Sequence, residues 1–262
     1  SPFVSRAIVL VERLMGLLTT FVLVPCGSQW REIVEDFRVV PQKKVRIIRY
    51  GIPVDEFGSL PAREDARRRF EIAEDALIVG TIGRMAHVKN HRLLLESFNL
   101  LPASIGGRSV ELLLFGDGEC RPEIEERVEE LDLASRVHFR DWVDDLRWAY
   151  SAIDVMAISS RNEGMPIAAL EAMAAGVPVV STAVGGVVDL IEDGKSGLLV
   201  REHDPKVFAE KLASLLEDVN LRNRIVEAGR IHVQEKYSRS ALIQSSRSFY
   251  KFLIRKRLHQ SV

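Results

Sequence analysis

A formal net charge of −1 over 262 residues, 47% hydrophobic and 28% charged, describes an ordinary soluble globular chain. It is long enough for one large domain or two modest ones. The charge balance gives no ground for nucleic-acid binding or for contact with an acidic membrane surface. The two cysteines, Cys26 and Cys120, suggest neither a disulfide framework nor a zinc site, which fits a reducing, cytoplasmic setting.

The chain opens on Ser1-Pro2 with no Met, which reads as a processed or trimmed start. The greasy stretch Ala7 to Val24 is interrupted by Glu12 and Arg13. A spanning helix wants about 20 mostly apolar residues, and charge at that depth is costly. The stretch therefore reads as a helix running into a buried strand, "FVLVPC", with a membrane-surface helix as the minor alternative. "KVRIIRYGIPVDEF" predicts a strand entering a Gly/Pro turn, and "LPAREDARRRF" a helix with Pro61 near its start. From Leu77 onward, β-type runs alternate with helical ones. The strands are "LIVGTI", "VELLLF", "RVHFRD", "DVMAIS", "PVVST" and "SGLLV", each followed by a polar turn or an amphipathic segment. Such alternation predicts an α/β fold, a Rossmann-like parallel sheet with helices on both faces. The last stretch is helical and gathers Lys251, Arg255, Lys256 and Arg257, which read first as a solvated helix end. The expected domains are a short remnant at 1–56, the α/β domain at 57–238 and a closing helix at 239–262.

Open α/β sheets bind ligands at the carboxyl ends of their strands, so the strand-to-helix turns carry the chemistry. In "GTIGRMAHVKNH" the strand ends at Gly83, Arg84 and Lys89 share one loop, and Asn90 is placed to cap the next helix. Two cations beside a helix N-terminus suit a diphosphate; two solvated loop cations are the plainer reading. "FGDGEC" starts like a dinucleotide fingerprint and then fails, because Arg121 stands where the third glycine is needed. "RNEGMPIAALEAMAAG" places Glu163 and Gly164 in a turn, Met165 near the N-cap, and Pro166 at the first helical position before Ile167. Glu171 follows eight residues after Glu163. At a helical rise that separation is about 12 Å, wider than the roughly 5–9.5 Å of glycosidase carboxylate pairs. It suits two carboxylates holding opposite ends of an elongated ligand. A charge within this small, apolar helix also needs a partner.

Taken together, these segments resemble the C-terminal, nucleotide-sugar-binding half of retaining glycosyltransferases of family 4. The likeness covers about residues 45–235 and is most specific in the E-x7-E pattern of Glu163 and Glu171. It implies the C-terminal domain of a two-domain GT-B fold, with the N-terminal, acceptor-binding domain largely missing, residues 1–56 as its last piece and linker, and the closing helix at 239–262 expected to pack back on it. By this resemblance Arg84 and Lys89 bind the donor diphosphate and stabilise the departing nucleotide. Glu163 meets the hydroxyls of the transferred sugar. Gly83, Gly164, Met165, Pro166 and Ile167 line the donor pocket, and Glu171 accepts from the ribose. No metal and no cofactor is expected beyond the nucleotide-diphosphate sugar itself, carrying UDP or GDP. The expected acceptor is a glycan or lipid-linked glycan, with a peripheral membrane contact and a separate N-terminal domain or subunit as further partners. The sequence departs from the family in Tyr50 before Gly51, where Asn is usual, and in Asn90 after Lys89, where Gly is common. Two rivals stay open: a partner-dependent nucleotide-sugar-binding module, and a nucleotide-sugar epimerase of the same architecture.

Overall fold

The computed structural model describes residues 2–258, and the side chains of 8–256. Ser1 and residues 259–262, the ends of the first and last expected segments, lie outside them. The chain divides into two compact units, residues 1–52 with 236–262, and residues 53–235.

In the first unit, helix Pro2–Leu18 leads into β1 (Val22–Val24), which pairs in parallel with β2 (Val45–Ile47) in the register Val22 to Val45. A helical turn, Gly27–Arg31, runs directly into a wider π-helical turn, Glu32–Asp36, between the strands. The core is small: Val24, Val40 and Val45 are buried together, with Trp30, Ile33 and Val34 against them. Helix Arg239–Leu258 belongs to the same unit. Its Phe249 and Phe252 meet Phe21 edge-on at 5.5 and 5.7 Å. The Arg46 guanidinium lies over both Phe21 and Phe252. Backbone bonds tie the chain crossing into this unit, with the Ile52 amide donating to Tyr237 O and the Arg239 amide to Ile52 O.

The second unit is built on seven strands: β3 (Leu77–Ile82), β4 (Ser104–Ile105), β5 (Arg108–Phe115), β6 (Val137–Arg140), β7 (Val155–Ile158), β8 (Val179–Thr182) and β9 (Leu198–Val200). The order across the sheet is β5, β3, β7, β8, β9, with β6 on the outer side of β5, all parallel. Only β4 runs antiparallel, in a short hairpin with β5 closed by Gly106 and Gly107 at positive φ. Alternation along each strand divides the core between two faces. Leu77, Val79, Leu112, Leu114, Val155, Ala157 and Val180 face one way, in a cluster with Leu94, Phe98, Phe208 and Leu212 from helices His91–Asn99 and Pro205–Glu217. On the opposite face Phe115 meets Phe70 edge-on. A largely sheltered carboxylate anchors that face. Asp154 takes the guanidinium groups of Arg63 and of Arg67, which is wholly buried, as well as the Ile78 amide.

The compact units meet at 52/53 and 235/236; Val54–Phe57, just inside the second unit, is a helical turn whose Phe57 packs edge-on against Tyr150. Pro61 stands near the start of helix Arg63–Arg69, two residues ahead of it, and its carbonyl accepts from the Ser151 hydroxyl. One local expectation is corrected: Pro166 is the N-cap residue and not the first helical one, and its carbonyl accepts from the Ala169 and Leu170 amides of helix Ile167–Ala175.

Candidate functional site

The parallel sheet delivers the ends of β3 and β7 side by side, and each is followed by a loop. Hydrogen bonds zip these loops together. The Ser159 hydroxyl donates to Lys89 O at 2.9 Å, and the Arg161 amide to Val88 O at 2.8 Å. Asn90 sits at the N-cap of helix His91–Asn99, but with φ +51° and ψ +48° and no capping hydrogen bond from its side chain. This corrects the expected cap. It also gives the family's frequent glycine here a reason: the position is left-handed, which Asn tolerates better than other non-glycine residues.

Between the loops lies a cavity of about 310 Å³. Gly83, Arg84, Lys89, Glu163, Met165, Pro166 and Ile167 all line it, joined by His91. At its centre the Lys89 ammonium donates to Glu163 Oε1 at 2.7 Å, and the Ser160 hydroxyl donates to the same oxygen at 2.6 Å. The Glu163 side chain is only 10% exposed and that of Lys89 33%. An ion pair this sheltered holds both side chains in place. The Glu163 carbonyl is fixed too, by the Gly186 amide at 2.8 Å, and a Cβ at Gly185 would stand 1.9 Å from it. Thr182 completes the support, its hydroxyl donating to Ser160 O at 2.6 Å.

Arg84 is exposed and pairs with Glu119 at 3.0 Å. The Glu119 carboxyl is held below its ordinary range by a hydrogen bond from its own backbone amide, helped by Arg84. An exposed pair of this kind is weak, so the guanidinium is free to turn toward an anion. The FGDGEC turn packs under this loop. The Met85 amide donates to Asp117 O, and the Cys120 amide donates to Met85 O. A Cβ at Gly116 would meet Gly83 O at 2.2 Å, and one at Gly118 would meet Met85 O at 2.4 Å. Those glycines serve loop-on-loop packing.

Glu171 and Gly164 are not among the cavity-lining residues. One Glu171 oxygen accepts from the Tyr150 hydroxyl at 2.8 Å. Burial raises the Glu171 carboxyl above its ordinary range, and the Tyr150 bond offsets part of that rise. Tyr150 is buried, and its own ionisation is pushed well up by desolvation and by the neighbouring carboxylate. The partner that the sequence demanded for Glu171 is thus supplied at least in part by the protein.

Sequence reasoning missed Ser160, Tyr150, Glu119 and His91. Burial, together with the Lys89 charge, lowers the His91 imidazole to about 4, so it is neutral at pH 7. Its Nδ1 is buried without a hydrogen-bond partner. Its place, two residues after Lys89, was the one signal available. Among the described residues, one trio has the side chains to hold a metal: His87, Cys120 and Glu123, with ligand atoms within 4.8 Å of one another. None of the three lines the cavity. Burial and the neighbouring Glu119 and Glu123 charges push the Cys120 thiol up, away from the metal-binding thiolate.

This fold is that of the GT-B glycosyltransferases, and its sheet and loops correspond to their C-terminal half. Residues 62–232 match the family described as "Glycosyl transferases group 1", and the chain belongs to it. It is 34% identical over 193 residues to a D-inositol 3-phosphate glycosyltransferase of Corynebacterium urealyticum, covering 70% of this chain and 46% of that protein. The sucrose-phosphate synthase of Thermosynechococcus elongatus superposes with a TM-score of 0.84 at 26% identity, over 96% of this chain and 62% of the other. The isolated C-terminal domain of a group 1 glycosyl transferase from Francisella tularensis is covered completely, over 72% of this chain, with a TM-score of 0.64 at 25% identity. The chain spans about half the length of the curated relatives it matches.

Proposed function

We propose that the chain is the donor-binding part of a retaining glycosyltransferase of family 4 that uses a nucleotide-diphosphate sugar. The observation that carries this reading is the Lys89–Glu163 pair, held by Ser160 in a cavity at the carboxyl ends of β3 and β7. In it a fixed cation stands beside a fixed carboxylate, as a ligand with an anionic and a hydroxyl-rich end requires.

The chemistry follows from the charges. Cleaving the anomeric carbon–oxygen bond leaves the electron pair, and a growing negative charge, on the β-phosphate oxygen. Lys89 stands preorganised for that charge, and Arg84 reaches it by leaving Glu119. Glu163 accepts from hydroxyls of the transferred sugar and orients it. In a retaining reaction the acceptor oxygen attacks the face that the phosphate leaves, and the phosphate takes the acceptor's proton. Glu171, with one oxygen on Tyr150, offers the other to the ribose. Two cationic side chains at the phosphate make a metal-independent reaction the expectation, so chelation with EDTA leaves turnover unchanged.

A second reading has one observation in its favour. Because the chain spans about half of its relatives, the acceptor is expected to be met by a further domain or subunit, and the unit described here to be a nucleotide-sugar-binding module. The experiment that tests the donor site serves both readings. UDP, GDP, ADP and their glucose conjugates are added in turn and the melting temperature is followed, since a ligand of the native state alone must raise it. One nucleotide is expected to stabilise the parent and to do so less in Lys89→Ala. No shift with any of them sinks the donor-site assignment. Transfer to acceptor only after a partner domain is added would favour the module.

A further inference from the structure

Beside the donor cavity a second hollow, of about 500 Å³, lies between helices His91–Asn99 and Arg121–Glu130. Its lining includes His87, Cys120 and Glu123, the trio whose ligand atoms stand within 4.8 Å of one another. His91 lines it as well, with its Nδ1 buried and without a hydrogen-bond partner.

Local structure sets each donor of the trio. Cys120 is the N-cap residue of helix Arg121–Glu130, and Glu123, three residues on, falls on the same side of its first turn. The Cys120 backbone is held at both ends, its amide donating to Met85 O at 2.9 Å and its carbonyl accepting from the Ile124 amide at 3.0 Å. His87 opens the short turn His87–Lys89 in the neighbouring loop, and its Nδ1 stands 3.9 Å from Glu123 Oε2. Around a tetrahedral ion, sulfur, nitrogen and oxygen ligands stand about 3.3–3.5 Å apart. A gap of 4.8 Å therefore has to close by about 1.5 Å. The Cys120 side chain is buried, but those of His87 and Glu123 are 79% and 68% exposed and can turn inward. An exposed His–Glu pair is worth little by itself, and it explains neither the sulfur beside it nor the bare His91 nitrogen.

We propose that His87, Cys120 and Glu123 form a binding site for a zinc-class dication. One sulfur, one imidazole and one carboxylate suit Zn²⁺ or Co²⁺ better than Mg²⁺ or Ca²⁺, which want oxygen ligands. Three protein ligands leave a fourth position to water, and the unpartnered His91 nitrogen in the same hollow offers that water a hydrogen-bonding group. The metal–sulfur bond forms as the thiol gives up its proton to solvent. Burial makes that proton hard to lose, and the dication supplies the charge that offsets the cost. The ion staples the loop that carries Arg84 and Lys89 to helix Arg121–Glu130. None of its three ligands lines the donor cavity, so it steadies that loop and takes no part in the transfer.

The test is a titration of the metal-free, thiol-reduced full chain with Co²⁺, whose absorption spectrum reports its ligands. A thiolate-to-cobalt charge-transfer band that saturates at one ion per chain and is erased by Zn²⁺ is expected. Cys120→Ser should lose the band, and Cys26→Ser should keep it. His87→Gln and Glu123→Gln, at exposed positions that the fold does not depend on, should each weaken Zn²⁺ binding by more than about tenfold, the least that loss of even a supporting partner costs. Zn²⁺ should also raise the melting temperature of the parent, and do so less in His87→Gln. Absence of the band, its survival in Cys120→Ser, or unchanged Zn²⁺ affinity in both glutamine variants overturns the proposal. A melt of Cys120→Ser without metal checks that it is folded, and the glutamine variants decide the matter if it is not. The readout needs no nucleotide, so its failure is distinct from failure of the donor site.

Discussion

At the scale of single residues the site turns on which groups are held and which are free. Lys89 and Glu163 share a bond of 2.7 Å in a sheltered position, so removing one strands the other. Lys89→Met is expected to lower stability by about 1–3 kcal/mol by leaving the Glu163 carboxylate without its cation. It should also reduce transfer about 10²–10³-fold if the ammonium meets the leaving phosphate. Glu163→Gln keeps the shape and is expected to spare nucleotide binding while transfer falls. Denaturation midpoints and single-turnover rates separate these two effects. His91 gives a prediction with a sign. Its folded-state pKa of about 4 lies below the unfolded value of about 6.5. Between those values the unfolded chain binds more protons, so stability falls as pH drops from about 6.5 towards 4, by at most about 3 kcal/mol. His91→Leu should remove that slope. Glu171 runs the other way, because its raised carboxyl favours the protonated form in the folded state. Stability therefore declines as pH rises from the ordinary carboxylate range through the raised value, and Glu171→Gln should abolish the decline. Melting temperatures across pH 4 to 7 for the parent and both variants check the two slopes.

At the scale of elements the glycines of the loops are the sharpest probes. Gly185→Ala would push a Cβ to 1.9 Å from the Glu163 carbonyl, at a φ of +48°. It is expected to destabilise by about 1–3 kcal/mol and to impair transfer, since the displaced backbone carries Glu163. Gly107→Ala is the control: its φ is +80° with nothing within 4 Å, so it should cost about 1 kcal/mol and leave transfer alone. Parallel melts and transfer assays on the two variants decide whether the cost is local to the site. The same elements show what was legible in the sequence. "LIVGTI" became β3 over Leu77–Ile82 without a shift, and "DVMAIS" and "PVVST" each lost a residue at either end or at the start. A buried parallel strand is a continuous apolar run, and such runs can be read locally. The hairpin of β4 could not be, because two residues carry no period. The Tyr150–Glu171 bond and the Asp154 anchor for Arg63 and Arg67 were invisible for another reason. They join residues 21 to 91 positions apart, and only the sheet order brings them together. Asn90 misled because cap preference was weighed without the left-handed backbone that the loop imposes.

At the scale of the molecule, the two units have unequal means of holding themselves together. Residues 53–235 enclose a sheet with a buried cluster reaching from Leu77 to Ile225. Residues 1–52 and 236–262 have Val24, Val40 and Val45 at the centre of their small cluster, beside helix Pro2–Leu18, on which Leu14, Met15 and Leu17 stay more than half exposed. A core that small gives little cooperative stability. Heating is therefore expected to show two transitions, the lower one belonging to the first unit. Every residue lining the proposed donor cavity lies in the second unit. The nucleotide that binds should therefore raise the upper transition and leave the lower one in place, with about 2.7 kcal/mol of stabilisation at a hundredfold excess over Kd. The fragment 53–235 should repeat the upper transition and its shift when made alone, as its own sheet and core require. Calorimetry with and without nucleotide, on the chain and on that fragment, measures all of this. A single transition that moves as one would mean that the two units unfold together. Loss of the nucleotide shift in the fragment would mean that residues outside 53–235 complete the donor site.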